Sequence, residues 1–470
     1  NARTGEPVVN ASVFIDNQYS TVTNVYGYYS LTVPAGKYTL NILAIAMRDT
    51  RLQLAVYSTG KLDVDIPEQV TTLKEVTVSS RKTTNINRVQ MGVEKLNIDA
   101  IKRIPSLFGE ADLLRVITSL PGVKTVGEAS TGFNVRGGSA DQNLILFNDA
   151  TIYNPSHFFG MFSAFNPDVV KDVELYKSSI PAKYGGRLAS VLDITSREGN
   201  KKKISGSAGI GVITSRVQVE GPIFNDKTSF IFGGRTTYSN WLMDLLPKEY
   251  ENSRASFQDV NLGISHRIDS SNNIYFSGYF SNDRFSLDSD TTYQYSNGNM
   301  TLKWVHNFSN RLTSALTVGI DQYKYKVWSE GNPVNAFTMK FDIRQLHGKA
   351  DFVYYLNQKN AFDFGISALN YRLNPGSYEP LGGQSLVVPD IVETEQALET
   401  AGYLTHRFNP SNKISISTGV RFSMFNYYGP QEINYYAPGL PVTAANVIET
   451  KEFKKGESIQ KYNAPEFRFS

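Results

Sequence analysis

The residues of this sequence that could carry chemistry do not form a catalytic pattern. Five histidines are scattered along the chain without the spacing of a metal site: His157, His266, His306, His347 and His406. The sequence contains no cysteine, which excludes disulfides and thiol nucleophiles. It also lacks the Gly-x-Ser-x-Gly elbow of serine hydrolases. We therefore expect no enzyme activity, no bound metal and no cofactor.

One histidine stands in an unusual context, an aromatic stretch over residues 153–162. Within this stretch, the candidates for contact with a ligand are Tyr153, Asn154, His157, Phe158 and Phe159. The alternative is that this stretch packs against a neighbouring protein wall, and for His157 we favour packing.

A short β-prone segment, residues 73–79, points to chemistry of another kind, main-chain hydrogen bonding. It contains Glu75, Val76, Thr77 and Val78. An exposed strand of this kind can add itself to the edge of another protein's sheet. The alternative, which the sequence supports equally, is the last strand of the preceding domain.

From about residue 204 onward the sequence alternates between apolar and polar residues with a period of two. In residues 413–426 one face carries Ile414, Ile416, Val420, Phe422 and Met424. The other face carries Ser415, Ser417, Gly419, Arg421 and Ser423. A β-barrel of the outer membrane needs this pattern, because one face of each strand meets lipid and the other a wet lumen.

The connections between these strands alternate in length. Short turns are predicted at residues 224–226, 269–272, 309–310, 357–360 and 409–412. Long loops are predicted at residues 239–256, 286–298, 329–337, 374–398 and 429–463. A membrane barrel has this rotation of short and long connections, whereas the alternative, a soluble β-sandwich or solenoid, does not require it.

Bulk composition is compatible with a barrel that is preceded by other domains. The chain has 470 residues, 12% aromatic residues and a mean hydropathy of −0.29, without an apolar run of the length of a spanning helix. Its net charge of +3 and the lack of a long basic stripe predict no nucleic-acid partner.

The first 68 residues are expected to form a small β-sandwich, with strands at 8–15, 23–33 and 38–46 and a hairpin turn at 34–37. Four segments carry a resemblance: 4–7 (TGEP), 11–13 (ASV), 24–31 (NVYGYYSL) and 33–38 (VPAGKY). Together they are similar to the carboxypeptidase-regulatory-like domain of the transthyretin type. The opening strand of that family is missing or nearly so, which suggests a clipped N-terminus.

Residues 83–197 are expected to hold a helix at 106–120 and strands at 132–135, 143–147, 151–153, 170–176 and 189–195. The order of five segments is distinctive: 133–138 (FNVRGG), 144–149 (LILFND), 154–155 (NP), 173–175 (VEL) and 181–194 (PAKYGGRLASVLDI). It strongly resembles the plug domain of TonB-dependent outer-membrane receptors. The usual Asp-Gly hairpin is replaced by Asn148-Asp149-Ala150, which is expected to change the turn type.

Seven plug residues are expected to have structural roles: Arg136, Gly137, Gly138, Tyr184, Gly185, Gly186 and Arg187. A plug inside a lumen has its backbone pressed against the barrel wall, and glycine supplies both space and positive φ there. The two arginines are expected to pair with acidic residues of the barrel.

The predicted fold is mainly β, with a β-sandwich at 1–70, a linker with a TonB-box candidate at 71–82, an α/β plug at 83–197 and a barrel at 204–470. We count about 12 strands in the last segment, whereas a lumen that holds a plug needs about 22. We therefore expect the N-terminal part of a 22-stranded antiparallel barrel, and a chain that is a fragment. The plug should contact the polar strand faces, such as that of Ser415, Ser417 and Arg421.

The resemblance implies an active importer of the outer membrane with its N-terminal domain in the periplasm. A TonB-type inner-membrane energy transducer would bind the linker at residues 75–78. Outer-membrane lipid, a surface lipoprotein and an unknown small or oligomeric ligand complete the expected partners. Glycan, peptide, iron chelate and cobalamin all stay open as substrates. The alternative is a structural or assembly subunit of an envelope complex that imports nothing.

Overall fold

A computed structural model describes residues 1–16, 19–69, 92–103, 110–126, 132–238, 253–286, 291–411 and 414–470. Within these ranges no helix has both the length and the apolar character needed to cross a membrane. The described elements fall into an N-terminal sheet, a second small sheet with two helices, and one large antiparallel sheet.

The N-terminal domain contains a four-stranded sheet with the order β2-β1-β3-β4. Its strands are β1 (Ser12–Ile15), β2 (Tyr19–Val22), β3 (Gly36–Leu43) and β4 (Thr50–Val56). Val13, Ile15, Leu40 and Ile42 point to one side and are almost completely buried. Alternation along β1 and β3 therefore builds the core of this domain.

The predicted strand over residues 23–33 is wrong, and so is its hairpin with the strand after residue 37. β3 pairs instead with β1 and with β4. Asn24 explains the difference, because its side-chain oxygen accepts hydrogen bonds from the backbone N–H groups of Tyr26 and Tyr28 at 2.9 and 3.0 Å. This local turn competes with strand pairing. Tyr29 and Leu31 still pack on the core, as part of an irregular covering layer.

The second domain has a five-stranded sheet with the order β5-β12-β13-β8-β9 and two two-stranded ribbons, β6-β7 and β10-β11. Its strands are β5 (Val93–Asn97), β6 (Val123–Thr125), β7 (Phe133–Val135), β8 (Asn143–Phe147), β9 (Ala150–Thr151), β10 (Ser156–His157), β11 (Phe162–Ser163), β12 (Val170–Tyr176) and β13 (Ser190–Ser196). Its helices are α1 (Ile98–Arg103) and α2 (Leu113–Thr118), with 3-10 turns at Ala140–Gln142 and Phe158–Gly160. We call this domain the plug.

The plug has its own apolar core on one face of its sheet. Val173, Leu175, Leu192 and Ile194 are fully buried there, under Leu113 of α2 and other side chains. α2 begins after Asp112, whose carboxylate accepts a hydrogen bond from the backbone N–H of Arg115 at 3.0 Å. This N-cap satisfies one of the free N–H groups of the first turn.

The large sheet has 13 strands. They are β14 (Ser205–Ile210), β15 (Thr214–Pro222), β16 (Thr228–Thr237), β17 (Arg254–Arg267), β18 (Asn272–Ser286), β19 (Thr291–Asn307), β20 (Leu312–Ser329), β21 (Phe337–Tyr355), β22 (Asn360–Pro380), β23 (Asp390–Ile391), β24 (Glu395–Ser411), β25 (Ile414–Tyr428) and β28 (Ser458–Phe469). Each pairs with its predecessor except β28, which pairs with β25, and β24, which pairs with β22. β26 (Gln431–Tyr436) and β27 (Val447–Phe453) form a separate hairpin. Among the described residues β14 and β28 are the two edges of this sheet.

The two faces of the large sheet differ as the alternation predicted. On one face Leu302, Val318 and Phe422 keep about half of their surface exposed, and we call this the lipid face. On the other face Asp259, Asn299 and other polar residues are buried, and we call this the lumen face. The mainly β architecture expected from the sequence is confirmed.

One predicted loop is much shorter than expected. Residues 286–298 were predicted as a long connection, but β18 extends to Ser286 and β19 begins at Thr291. Strands of up to 21 residues are longer than the roughly 9–11 residues that cross a bilayer. Strands of this length are too long to lie wholly within a bilayer. We call the end of the sheet with the long loops the long-loop end and the opposite end the turn end.

The lipid-face assignment makes a prediction for Leu302, which is 49% exposed in the middle part of the sheet. Leu302→Arg should destabilise the membrane-inserted sheet by about 2–4 kcal/mol, because lipid cannot solvate the charge. Leu302→Ala is the control and should cost much less. Urea unfolding in lipid vesicles measures the difference, and equal stability of the two variants would contradict the assignment.

Candidate functional site

The plug lies against the lumen face of the large sheet over most of its width. At one side Arg216 of β15 forms an ion pair with Asp168 of the plug at 3.2 Å. At the other side the guanidinium of Arg421 in β25 donates to the carbonyl oxygens of Ala182 and Lys183 at 3.4 and 3.3 Å. The predicted contact of the plug with the polar face of Arg421 is thus confirmed, although apolar Ile231 and Phe257 also contact the plug.

A row of five buried charges joins the plug to the sheet in its long-loop half. Arg235 of β16 reaches Glu110 of the plug at 2.5 Å and Asp259 of β17 at 2.7 Å. Arg235 also donates to the carbonyl oxygen of Ser163 in the plug at 2.9 Å. Because Arg235 and Asp259 are direct cross-strand partners, the register of the sheet sets their geometry.

His157 continues this row from the plug side. Its Nδ1 lies 2.7 Å from Asp283 of β18, and its Nε2 lies 3.3 Å from Asp259. The imidazole also stacks on the ring of Phe257, with centroids 4.3 Å apart and planes 3° apart. With 1% of its surface exposed, His157 packs on the large sheet. We call the row Glu110, Arg235, Asp259, His157 and Asp283 the upper charge row.

The charge state of His157 follows from these neighbours. Burial alone lowers its pKa, but the carboxylates of Asp283 and Asp259 outweigh burial and raise the pKa to about 9. His157 is therefore a cation at neutral pH, and the charges along the upper charge row alternate in sign. Each charge has an opposite neighbour, as buried charges require.

A hairpin of the plug forms a second attachment in the turn half of the sheet. Asn148 and Asp149 connect β8 to β9, and both have positive φ, +50° and +73°. Positive φ at both central residues belongs to the type I′ turn that Asn-Gly and Asp-Gly also favour. The expected change of turn type is therefore wrong, since Asn148 supplies the left-handed conformation. Its side chain donates to Ser196 at 2.9 Å and to Ser277 of β18 at 2.8 Å.

Asp149, at the tip of this hairpin, forms ion pairs with two lysines of the sheet, Lys303 of β19 and Lys349 of β21. Only 15% of the Asp149 side chain is exposed. Burial favours its neutral form, but the two lysines outweigh burial and hold the pKa of Asp149 well below its usual range. We call Asp149, Lys303 and Lys349 the lower charge cluster.

The arginines predicted to pair with acidic barrel residues form no such pair among the described residues. Arg136 is exposed at the end of β7 with φ of +52°. Arg187 donates to the carbonyl oxygen of Gly186 at 2.7 Å. Arg235, Lys303 and Lys349 of the sheet form the ion pairs with plug carboxylates instead, and a structural role for Arg136 and Arg187 stays a prediction.

The glycines beside them have two different reasons to be glycine. Gly137 and Gly186 have positive φ, +85° and +74°. Gly138 and Gly185 have no such strain, but a Cβ atom would collide with Ala189 at Gly138 and with the Arg421 guanidinium at Gly185. Tyr184, which precedes Gly185, is buried, and its hydroxyl donates to Asp193 at 2.5 Å.

The other candidate residues of this stretch also lie against the large sheet or next to His157. The hydroxyl of Tyr153 donates to Gln345 of β21 at 2.8 Å, and the backbone oxygen of Asn154 accepts from Asn297 of β19 at 3.1 Å. Phe158 is buried against Phe257, and Phe159 lies in the same 3-10 turn. Ligand contact by these residues stays a prediction. Glu75, Val76, Thr77 and Val78 lie outside the described residues.

The sequence analysis missed the sheet residues that hold the plug, above all Arg235, Asp259 and Lys303. Each of them is a charged residue at a lumen-facing position of an alternating strand. A charge at such a position is expected in any wet lumen, so it did not single these residues out. No group of three or more His, Asp or Glu side chains is placed to hold a metal within the ranges that the structure describes.

Comparisons with known proteins agree with this geometry. Residues 1–78 match the family model of the CarboxypepD_reg-like domain, and residues 88–191 match that of the TonB-dependent receptor plug domain. Receptors with this plug and fold are transporters and not enzymes. A search of the curated proteins found no match.

Solved structures with a similar fold include those of two receptors and one transporter. The siderophore receptor PirA from Acinetobacter baumannii matches with a TM-score of 0.54 and 14% identity, over 74% of this chain and 59% of PirA. The copper transporter OprC matches with 0.56 and 12%, over 80% of this chain and 59% of OprC. A ferric enterobactin receptor, PfeA from Pseudomonas aeruginosa, matches with 0.53 and 16%, over 71% of this chain and 57% of PfeA. The chain thus spans less than two thirds of the length of these structures.

The lower charge cluster makes a prediction for plug retention. Asp149→Asn removes the ion-pair partner of Lys303 and leaves Lys349 with Asp351 alone, at 3.9 Å, so it should weaken the seating of the plug by about 3 kcal/mol. The urea concentration at which the plug becomes sensitive to protease measures this. Asp141→Asn, an equal loss of charge at an exposed plug residue, should have no measurable effect. Equal behaviour of the two variants would contradict the role of the cluster.

The upper charge row makes a prediction for pH dependence. The pKa of His157 is raised from 6.5 to about 9, so its stabilisation is fully present below pH 6.5 and is lost as the pH rises through about 9. Between about pH 6 and about pH 10 the same urea assay should show a larger loss of plug stability for the unmodified protein than for His157→Gln. Parallel pH profiles of the two proteins would show that the charged imidazole of His157 contributes nothing to plug stability.

Proposed function

We propose that this chain, which contains a TonB-dependent receptor plug domain seated on an outer-membrane-type barrel sheet, belongs to an active importer. Its place is the outer membrane, with the plug in the lumen and the N-terminal domain in the periplasm. The ligand enters from the long-loop end and leaves at the turn end. The energy for import comes from the inner membrane and not from a chemical reaction within the chain.

The observation that carries the proposal is the way the plug is attached. Plug residues build most of the apolar core, which Ile231 and Tyr279 of the sheet join, while charged and hydrogen-bonded side chains form much of the remaining contact with the sheet. Polar contacts can be exchanged for water when a wet path opens, whereas exposing an apolar core to water is costly. A plug built in this way can shift inside the lumen without unfolding.

Energy reaches the plug through the linker at residues 71–82, which connects the N-terminal domain with the plug. We propose that residues 75–78 pair as a strand with a TonB-type protein of the inner membrane. Strand addition draws its affinity from main-chain hydrogen bonds, which resist a pull along the strand. Tension on this linker is transmitted along the chain to β5, the first described strand of the plug.

A structural or assembly subunit is the second candidate function. It would keep the plugged sheet and its two charged attachments but would never release the plug. The two functions differ in one consequence, since only the importer needs the linker to remain accessible from the periplasm.

The linker separates these functions in a mutational test. Val76→Pro removes an amide donor and fixes φ against strand pairing, so it should abolish accumulation of ligand while surface binding continues. Thr77→Ala is the matched control and should change accumulation little, because its backbone can still pair. Binding and accumulation are measured in whole cells that carry each variant of the full-length protein.

The ligand for this test comes from a growth screen of a deletion strain on single iron chelates, glycans, peptides and cobalamin. Loss of growth on one class, with recovery by the intact gene, identifies it. Normal accumulation with Val76→Pro, or growth on every class without the gene, would favour the structural subunit.

A further inference from the structure

The N-terminal domain is attached to the segment that leads from the plug into the large sheet. The carboxylate of Glu6 accepts the backbone N–H groups of Glu198 and Gly199 at 3.0 and 3.2 Å, and it lies 3.2 Å from the guanidinium of Arg197. Glu6 is 9% exposed. A carboxylate buried with three donors is a specific attachment, because breaking it would leave a charge without partners.

The same domain also contacts the turn end of the large sheet. The hydroxyl of Tyr28 donates to the carbonyl oxygen of Asn310 at 2.7 Å, and the hydroxyl of Ser30 donates to the same oxygen at 3.1 Å. Asn310 lies in the turn between β19 and β20. Side chains on residues 24–30, the segment wrongly predicted as a strand, therefore make this contact.

One side chain of that segment enters the lumen. The ring of Tyr26 lies 5.5 Å from the ring of Tyr275 on the lumen face of β18. The ammonium group of Lys303 lies 5.8 Å from the centre of the Tyr26 ring. Lys303 is also the partner of Asp149 in the lower charge cluster. One lysine thus contacts both the N-terminal domain and the plug hairpin.

From these contacts we propose that the N-terminal domain is a latch that closes the turn end beneath the plug and must undock before the plug can move. Tyr26 lies beside the lysine that holds the plug hairpin, so the hairpin cannot shift toward the periplasm while the domain is docked. The linker at residues 71–82 lies between the two domains, and tension on it pulls on both. The claim that undocking precedes movement of the plug rests on the proposed function, whereas the docking itself does not.

Cysteine pairs test the latch, since the chain contains no cysteine of its own. Ser30→Cys with Asn310→Cys spans the interface between the domain and the turn. Asn307→Cys with Thr313→Cys joins the two cross-strand partners beside the same turn, within the sheet, and is the matched control. Copper phenanthroline oxidises each pair in whole cells, and the rate of cross-linking is followed by non-reducing electrophoresis.

The interface pair should cross-link rapidly in cells treated with a protonophore and several-fold more slowly in energised cells, where the domain spends time undocked. The control pair should cross-link at the same rate in both. Adding Val76→Pro to the interface pair should restore the rapid rate in energised cells. Tyr26→Ala should slow the reaction in protonophore-treated cells, whereas Tyr26→Phe should not.

Absence of interface cross-linking in every condition, with a normal control pair, would show that the domain does not dock. Equal cross-linking rates of the interface pair in energised and protonophore-treated cells would show that the domain docks but does not act as a latch. If that second result occurs while Val76→Pro still blocks accumulation, the latch fails and the importer stands. If Val76→Pro leaves accumulation intact, the proposed function fails, whether or not the domain docks.

Discussion

The constraint on which the rest of the structure depends is the pairing of buried charges between the plug and the large sheet. Arg235 alone binds Glu110 and the Ser163 carbonyl of the plug together with Asp259 of its own sheet. A charge removed from water is tolerable only with close partners of opposite sign. The strand register, the plug hairpin and the position of His157 are all consistent with that requirement.

Two levels of attachment divide the lumen along its axis. The upper charge row lies in the long-loop half and includes His157 and Asp283, whereas Asp149 binds Lys303 and Lys349 in the turn half. Buried ion pairs contribute little net stability compared with an apolar contact of the same size, but they define one geometry sharply. Such attachments position the plug well, and their exchange for water is the step that the proposed import requires.

Alternation along single strands was predictable from the sequence, and partners across domains were not. The period of two around Phe422 correctly separated the lipid face from the lumen face, since it follows from the pleat alone. The same rule failed for residues 23–33, because the Asn24 turn competes locally with pairing. The sequence showed that Arg136 and Arg187 are charged residues of the plug motifs. It did not show their partners, because the pairing of charges between plug and sheet depends on the register of strands that are distant in sequence. Asp149 was visible only as a turn residue for the same reason.

The coupling energy between Glu110 and Arg235 is the most direct test of the claim that paired charges hold the plug. A double-mutant cycle with Glu110→Gln, Arg235→Met and the double variant isolates this energy from the effects of the single changes. Urea-induced release of the plug in the full-length protein supplies the four stabilities. The account predicts a favourable coupling of about 1–3 kcal/mol. A coupling below about 0.3 kcal/mol, the level of independent sites, would contradict it.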